Sequence, residues 1–212
     1  MCHRFCTAVL LLVLAASVAY GGAIFYSDLS SFNGAMSAAG LPKNVIDFES
    51  VPTGDYSTAA GLTVSGLNFV GPFSQNFLLR VFPESGWGEN FAIGTGNTLS
   101  GVGLIDITLP PGTRAFGANV GNSFVWATGE SAGVGFQLST GEFAYTPTST
   151  SRLFPFFGFV SDVPVNSLEV SGASFLTIDN VTFGPTTVPE PSALLLSSAG
   201  FLLLRAIRRR AA

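Results

Sequence analysis

The stretch Leu104-Ile105-Asp106-Ile107-Thr108-Leu109, followed by Pro110-Pro111-Gly112, decides the fold class. In an extended chain Ile105, Ile107 and Leu109 point to one side, while Asp106 and Thr108 point to the other. This period of two is typical of a strand with one buried and one exposed face. The Pro-Gly pair then favours a turn. The stretch therefore predicts an antiparallel β-protein.

Similar segments recur along the chain about every 8–12 residues, separated by turn dipeptides such as Thr140-Gly141. No long helical pattern alternates with them, so a parallel sheet is not expected. We predict an all-β fold, an antiparallel two-sheet sandwich of jelly-roll type. The predicted strands are Val45–Glu49, Leu62–Val70, Phe77–Phe82, Leu104–Leu109, Arg114–Val120, Phe124–Ala127, Val134–Leu138, Glu142–Tyr145, Phe154–Val160, Ser167–Val170 and Phe175–Phe183.

One short helix is expected before these strands, over Ser27–Ala39. Ser27 or Asp28 can cap its first turn, and Gly40 suits the left-handed residue that closes a helix. Three apolar residues fall on one face of this helix and are predicted to enter the core: Leu29, Phe32 and Met36.

Residues 1–23 have the pattern of a secretory signal peptide. Arg4 precedes the apolar segment Thr7–Ala19, and Ser17-Val18-Ala19 or Gly21-Gly22-Ala23 offers small residues for cleavage. The segment also contains every cysteine and histidine of the chain: Cys2, Cys6 and His3. Without these residues the exported part has no material for disulfides, zinc sites or nucleophilic triads.

The other end of the chain has three parts: Val188-Pro189-Glu190-Pro191, the uncharged run Ser192–Leu204, and a basic end. As a helix, that run would reach roughly 20 Å, which is short for a bilayer core of about 30 Å. We predict a linker over 184–191 and a short transmembrane helix with a basic tail over 192–212. The arginines that should stay on the cytoplasmic side are Arg205, Arg208, Arg209 and Arg210.

This tail, residues 188–212, closely resembles the PEP-CTERM sorting signal of Gram-negative-type bacteria. The resemblance implies transient anchoring in the inner membrane, with residues 24–183 outside, and recognition and cutting by an exosortase-type enzyme. An ordinary C-terminal anchor is the alternative. The region before the tail also resembles PEP-CTERM ectodomains, through Ile46-Asp47-Phe48-Glu49, Phe156-Phe157-Gly158-Phe159 and the last strand Phe175–Gly184. At the same places it is similar to jelly-roll carbohydrate-binding modules.

Charge excludes some classes of partner. Between the two end segments, four basic residues (Lys43, Arg80, Arg114 and Arg152) stand against 12 acidic ones, so the formal net charge there is −8. A sparse and acidic surface argues against nucleic acid and anionic lipid as partners.

The resemblance to jelly-roll modules implies a structural calcium ion. In those modules an acidic strand near the start and the Asp of the closing strand lie close together and hold the ion. The corresponding residues are Asp47, Glu49 and Asp179, and carboxylate oxygens are ligands that Ca²⁺ prefers. Asp179 shares its strand face with Val181 and Phe183 if the alternation is regular, so its direction is open. The alternative is that these residues only accept hydrogen bonds from backbone amides.

A large aromatic residue in a loop is harder to explain by packing, so Trp87 is the candidate for stacking on a sugar ring. Ordinary packing is the alternative. Other residues that suit sugar contacts are Tyr56, Tyr145, Trp126, Asn90, Asn97, Asn122 and Gln137. Glu84 and Glu89 flank Trp87, but nothing sets their spacing, so we expect a solvated loop and assign no catalytic residue.

These observations favour an exported cell-surface or extracellular-matrix protein with a structural or adhesive role in an exopolysaccharide or biofilm, and not an enzyme. A carbohydrate-binding jelly-roll module with structural calcium is the alternative. A polysaccharide hydrolase or lyase is less favoured.

Overall fold

The computed structural model describes residues 22–56, 60–71, 79–83, 96–122, 133–147 and 154–185. These residues form antiparallel strands and one short helix, which confirms the all-β class and the early helix. The helix is α1 (Leu29–Ala38), and the strands are β1 (Ala23–Tyr26), β2 (Asn44–Ile46), β3 (Gly54–Tyr56), β4 (Leu62–Val64), β5 (Leu67–Val70), β6 (Leu79–Phe82), β7 (Thr98–Thr108), β8 (Thr113–Asn122), β9 (Gly133–Leu138), β10 (Phe143–Pro147), β11 (Phe156–Ser161) and β12 (Ser167–Pro185).

The strands of the described ranges belong to one hydrogen-bonded sheet of twelve strands, whereas two separate sheets were predicted. The long strand β12 joins its parts. Residues 167–172 of β12 lie between β7 and β9, and residues 176–178 lie between β7 and β8. Residues 181–183 lie between β2 and β8. The two strands predicted as Ser167–Val170 and Phe175–Phe183 are thus one strand.

The sheet has two halves that face each other across the main hydrophobic core. One half, called here the open half, contains β10, β9, residues 167–172 of β12, residues 104–108 of β7, β5 and β4. The other, called the covered half, contains β1, β11, β8, residues 176–185 of β12 and β2. The Phe136 ring of β9 lies 4.8 Å from that of Phe157 in β11 and 6.5 Å from that of Phe116 in β8, although β9 pairs with neither strand.

Helix α1 begins and ends as its sequence predicts. Asp28 is the N-cap, and its carboxylate accepts a hydrogen bond of 2.8 Å from the amide of Ser31. At the other end Gly40 has φ +65°, and the amides of Gly40 and Leu41 donate to the carbonyls of Ser37 and Met36. These are the two bonds of a Schellman motif.

The helix packs on the outer side of the covered half. Phe32 and Met36 are buried there with Leu41, Ala115 and Phe156 in a second, smaller core. The prediction that Leu29 also enters the core is wrong, since its side chain is 43% exposed. Leu29 is the first residue of the helix, one turn before Phe32, and the packing against the sheet does not reach it.

Several strand boundaries differ from the predicted ones. The segment Leu62–Val70 is a hairpin, because Ser65 and Gly66 both have positive φ, as in a type I′ turn. Two short strands, β1 and β3, were not predicted, and β7 begins at Thr98 instead of Leu104. Strand β1 starts at Ala23, the last residue of the predicted signal peptide, and β12 runs to Pro185, inside the predicted linker.

Some predicted elements lie outside the described residues: most of the signal peptide, the strand Phe124–Ala127, and the transmembrane helix of 192–212. Within the described ranges, no helix has the length and the apolar character that crossing a bilayer requires.

Candidate functional site

A bulge in β12 sets the direction of Asp179. The pairing with β8 runs Asp179 to Asn119 and then Thr182 to Gly117, so β12 has one extra residue at this point. Asn180 takes up the bulge with φ +50°. Ile178 before the bulge and Val181 after it both enter the main core, so the regular alternation is interrupted between them. Asp179 therefore points to the face opposite the main core.

Strand β2 brings the other two carboxylates to this bulge. Ile46 pairs with Val181, the second residue after Asp179. The strand ends there, and Asp47, Phe48 and Glu49 form a turn instead of the predicted strand. Phe48 is buried with φ +58°, and its ring packs 5.7 Å from that of Phe69.

This burial of Phe48 leaves Asp47 and Glu49 exposed on either side of it. The two residues are joined by a hydrogen bond of 3.2 Å, which the amide of Glu49 donates to the carboxylate of Asp47. The turn thus presents two carboxylates beside the bulge of β12.

Burial and the charges of the turn after β2 both affect the pKa of Asp179. Asp179 is only 2% exposed. Burial, together with the negative charges of Glu49 and Asp47, raises the pKa of Asp179 to about 6, against the lowering effect of the hydrogen bond from the Asn180 amide. The charges of Glu49 and Asp47 thus act on Asp179, and the calcium site itself stays a prediction.

Each of these carboxylates also accepts a backbone hydrogen bond, which was the alternative interpretation. The Asn180 amide donates to Asp179 Oδ1 over 2.7 Å, and the Asn180 side chain donates to Oδ2 over 3.0 Å. The Asn97 amide donates to Glu49 Oε1 over 2.9 Å. Because a carboxylate has about four lone-pair sites, such hydrogen bonds leave capacity for a cation. The two interpretations are compatible.

Asn97 and Gly96, just before β7, hold the turn in place. The side-chain amide of Asn97 donates to the carbonyls of Phe48, Glu49 and Val51 over 3.3–3.5 Å. Gly96 has φ +98°, and a Cβ atom there would overlap the Glu49 carboxylate. Sequence reasoning proposed Asn97 as a sugar contact, whereas the structure gives it this positioning role.

The chemistry of these side chains suits a metal ion better than their spacing does. The three carboxylates offer only oxygen atoms as ligands, which Ca²⁺ prefers. Burial, with smaller contributions from the charges of Glu49 and Asp47, raises the pKa of Asp179, and a divalent cation would favour its charged form. Within the described ranges, however, no three side chains of His, Cys, Asp or Glu are gathered closely enough to form a metal centre by themselves.

The remaining predicted site residues divide into two groups. The first group lies outside the described residues. It contains Trp87, its neighbours Glu84 and Glu89, Asn90, Trp126, and the sorting residues Val188, Pro189, Glu190, Pro191, Arg205, Arg208, Arg209 and Arg210.

Of the described sugar-contact candidates, Asn122 is buried and its side chain donates to the Gly133 carbonyl over 3.4 Å. The Tyr56 hydroxyl donates to the Pro52 carbonyl over 2.5 Å. Tyr145 and Gln137 are exposed on the open half. Phe143 is equally exposed and was missed, although the spacing of Phe143 and Tyr145 in a predicted strand already places both on one face.

No family model matches this chain, and no curated protein matches it either.

Proposed function

We propose that this chain is an exported β-protein of an extracellular polysaccharide matrix, with a structural or adhesive role and no enzymatic activity. Residues 1–23 act as a signal peptide and are removed. The tail of residues 188–212 acts as a PEP-CTERM-type sorting signal, which anchors the protein transiently in the inner membrane until an exosortase-type enzyme cuts it. Residues 24–183 form the ectodomain, for which we propose a jelly-roll type of chain order, and 184–191 the linker.

The proposal depends most on the tripartite tail, in which Pro189-Glu190-Pro191 precedes a short apolar run and four arginines. Two prolines hold the preceding chain extended and accessible to an enzyme. Residues 24–187 contain neither histidine nor cysteine, so catalysis there through a cysteine nucleophile or a histidine base has no residue to use.

Removing Val188–Ala212 tests the sorting role. We expect the shortened protein to be lost from the cell surface and found free outside the cell or in the periplasm, as followed by fractionation and immunoblotting. Replacing Pro189, Glu190 and Pro191 by alanine should give an uncut, membrane-bound protein of higher mass. Thr186→Ala together with Thr187→Ala is the matched control and should behave as the parent. Unchanged location and size after removal of the tail would overturn the proposal.

We also propose that Asp47, Glu49 and Asp179 hold a structural calcium ion in this ectodomain. The observation that supports it is the buried Asp179, whose pKa is raised by its burial and, to a smaller extent, by the charges of Glu49 and Asp47. When bound, the ion supplies positive charge that ties the turn after β2 to the bulge of β12. The residues of the chain then hold two distant segments together, and no chemical reaction is implied.

Thermal unfolding of the exported protein in Ca²⁺ and in chelator tests this site. A ligand present at about 100 times its Kd stabilises a protein by about 2.7 kcal/mol, so a clear rise in Tm is expected with Ca²⁺. Asp179→Asn and Glu49→Gln should abolish the rise. Asp162→Asn changes an exposed acid elsewhere and should keep it. An identical Tm in both buffers would contradict the proposal.

The second candidate function is a carbohydrate-binding module. One observation favours it, the pair of exposed aromatic side chains on β10, Phe143 and Tyr145.

A further inference from the structure

The open half carries two large aromatic side chains that packing does not explain. Phe143 is 59% exposed and Tyr145 is 58% exposed. They alternate on β10 with Ala144, which packs against the main core, and with Thr146, which is buried. Strand β10 pairs with β9 alone among the described strands, so the two rings stand at an edge of the sheet. We call Phe143 and Tyr145 the aromatic pair.

The two rings lie down on glycines of the neighbouring strand. Tyr145 is opposite Gly135 and its ring extends over Gly133, where a Cβ atom would overlap it. Phe143 is opposite Gln137 and extends over Gly135, where a Cβ atom would lie 3.0 Å from the ring. Both rings thus lean the same way along the strand and lie against the glycines, while more than half of each side chain is exposed.

A row of polar side chains continues from the aromatic pair across the sheet. Gln137 of β9 is opposite Glu169 of β12, which is opposite Asp106 of β7. All three point outward, because the residues that alternate with them belong to the main core. Neighbouring strands are about 4.8 Å apart, so the row presents hydrogen-bonding groups at short, regular intervals. We call Gln137, Glu169 and Asp106 the polar row.

The charge of this surface limits what it can bind. Glu169 and Asp106 are directly opposite, an arrangement of like charges that destabilises a sheet. The basic residues of the described ranges lie elsewhere: Arg80 pairs with Asp55, Arg114 donates to the Ser161 carbonyl, and Lys43 precedes β2. An anionic polymer would therefore be repelled. A second copy of this acidic chain is disfavoured for the same reason.

We infer that the aromatic pair and the polar row form a binding surface for an uncharged polysaccharide. The ring of a pyranose has C–H groups on its faces and hydroxyls around its rim. The C–H faces suit the exposed faces of Phe143 and Tyr145, which are roughly 7 Å apart as alternate residues of one strand. The hydroxyls donate to the carboxylates of the polar row, in charge-assisted hydrogen bonds that are stronger than neutral ones. This inference rests on the proposed matrix role and names the ligand class for it.

The experiment measures binding of the exported, processed protein to an uncharged β-glucan, an uncharged α-glucan and a polyuronate, by affinity electrophoresis and calorimetry. We expect saturable binding to an uncharged glucan and none to the polyuronate. Phe143→Ala with Tyr145→Ala should weaken binding at least roughly tenfold, which is about 1.4 kcal/mol. Leu29→Ala removes an exposed apolar side chain on α1 and is the matched control, with unchanged affinity.

Gly135→Ala keeps both aromatic residues and tests their arrangement. The added methyl group meets the Phe143 ring and the Ser171 hydroxyl, so the ring must rise from the strand. Binding should weaken while Tyr145 is still present. Glu169→Gln should also weaken binding, because it replaces a charged acceptor by a neutral one. Melting temperatures of these variants that are not below that of the parent show that the surface, and not the fold, is responsible.

Three results would overturn the inference. The first is glucan binding that survives loss of both aromatic rings. The second is loss of the expected selectivity, seen either as a preference for the polyuronate or as no binding to either glucan. The third is a concentration-dependent dimer in sedimentation velocity that the double variant abolishes, since this would make the pair a contact between copies. None of these results affects the sorting proposal, which fails only if loss of residues 188–212 leaves location and size unchanged.

Discussion

The two outer faces of the sheet differ in what covers them. On the covered half, Phe156 lies beneath α1, with its ring 5.1 Å from that of Phe32. Gly184 lets the helix come close, since a Cβ atom there would lie 2.7 Å from the end of Met36. On the open half, glycines also lie beneath bulky side chains, but those side chains are Phe143 and Tyr145, and no described element covers them.

The comparison shows that the same residue types serve two purposes in one sheet. Glycine with phenylalanine provides close helix packing on one outer face and a pair of solvent-facing rings on the other. The two kinds of aromatic ring differ in burial, and a ring stabilises the fold when folding removes it from water. The difference predicts where substitutions cost stability and where they cost binding.

The largest expected effect is on the covered half. Phe32→Ala removes a fully buried ring between helix and sheet and should lower the free energy of unfolding by about 3–5 kcal/mol. Phe143→Ala makes the same chemical change on the open half and should lower it by about 0.5 kcal/mol or less, as is usual at exposed sites. Urea denaturation followed by circular dichroism measures both.

Leu29→Ala serves as a control within the helix, because Leu29 is exposed although it belongs to the same element as Phe32. Its unfolding midpoint should stay near that of the parent. Equal losses for Phe32→Ala and Phe143→Ala would remove the distinction between the two faces.

A somewhat smaller effect concerns Asp179, which is buried at the bulge of β12. Its pKa is raised from 3.8 to about 6 in the folded state. The stability that its protonation contributes is present below its ordinary pKa and is lost as the pH rises through about 6. In chelator the parent should therefore lose about 2 kcal/mol between pH 4 and pH 8 relative to Asp179→Asn.

Denaturation midpoints of the parent and of Asp179→Asn across this pH range provide the measurement. The amide of the variant has no charge to bury, so its stability curve should lack this decline, and Ca²⁺ should restore the parent alone at neutral pH. Asp162→Asn is again the control. Parallel curves for parent and Asp179→Asn would mean that this carboxylate is not perturbed by its surroundings.

Local patterns were sufficient to predict the strands and the helix ends. The alternation around Ile105 and Ile107, the N-cap Asp28 and the left-handed Gly40 all depend on a few neighbouring residues. Pairing depends on residues far apart in the chain. No local pattern predicts that β12 pairs with β2, β7, β8 and β9. This pairing joins the two expected sheets into one.

The members of the proposed metal site come from a resemblance, and its geometry could not be predicted from the sequence. The resemblance to jelly-roll modules indicated Asp47, Glu49 and Asp179 as a set, whereas the direction of the Asp179 side chain depends on a bulge. That bulge places a non-glycine residue, Asn180, at positive φ, and nothing in the alternation marks it. Phe143 was missed for another reason: a phenylalanine on a strand is more often in the core, whereas this one lies on the outer face of an edge strand, where no described element covers it.

The central position of β12 has a consequence for the order in which the molecule is made. This strand is the last described element in chain order, yet it is hydrogen-bonded to four other strands. A ribosome releases the chain from its N-terminus, so β2, β7, β8 and β9 are made before their common neighbour. The sheet can therefore be completed only after residues 167–185 have been released.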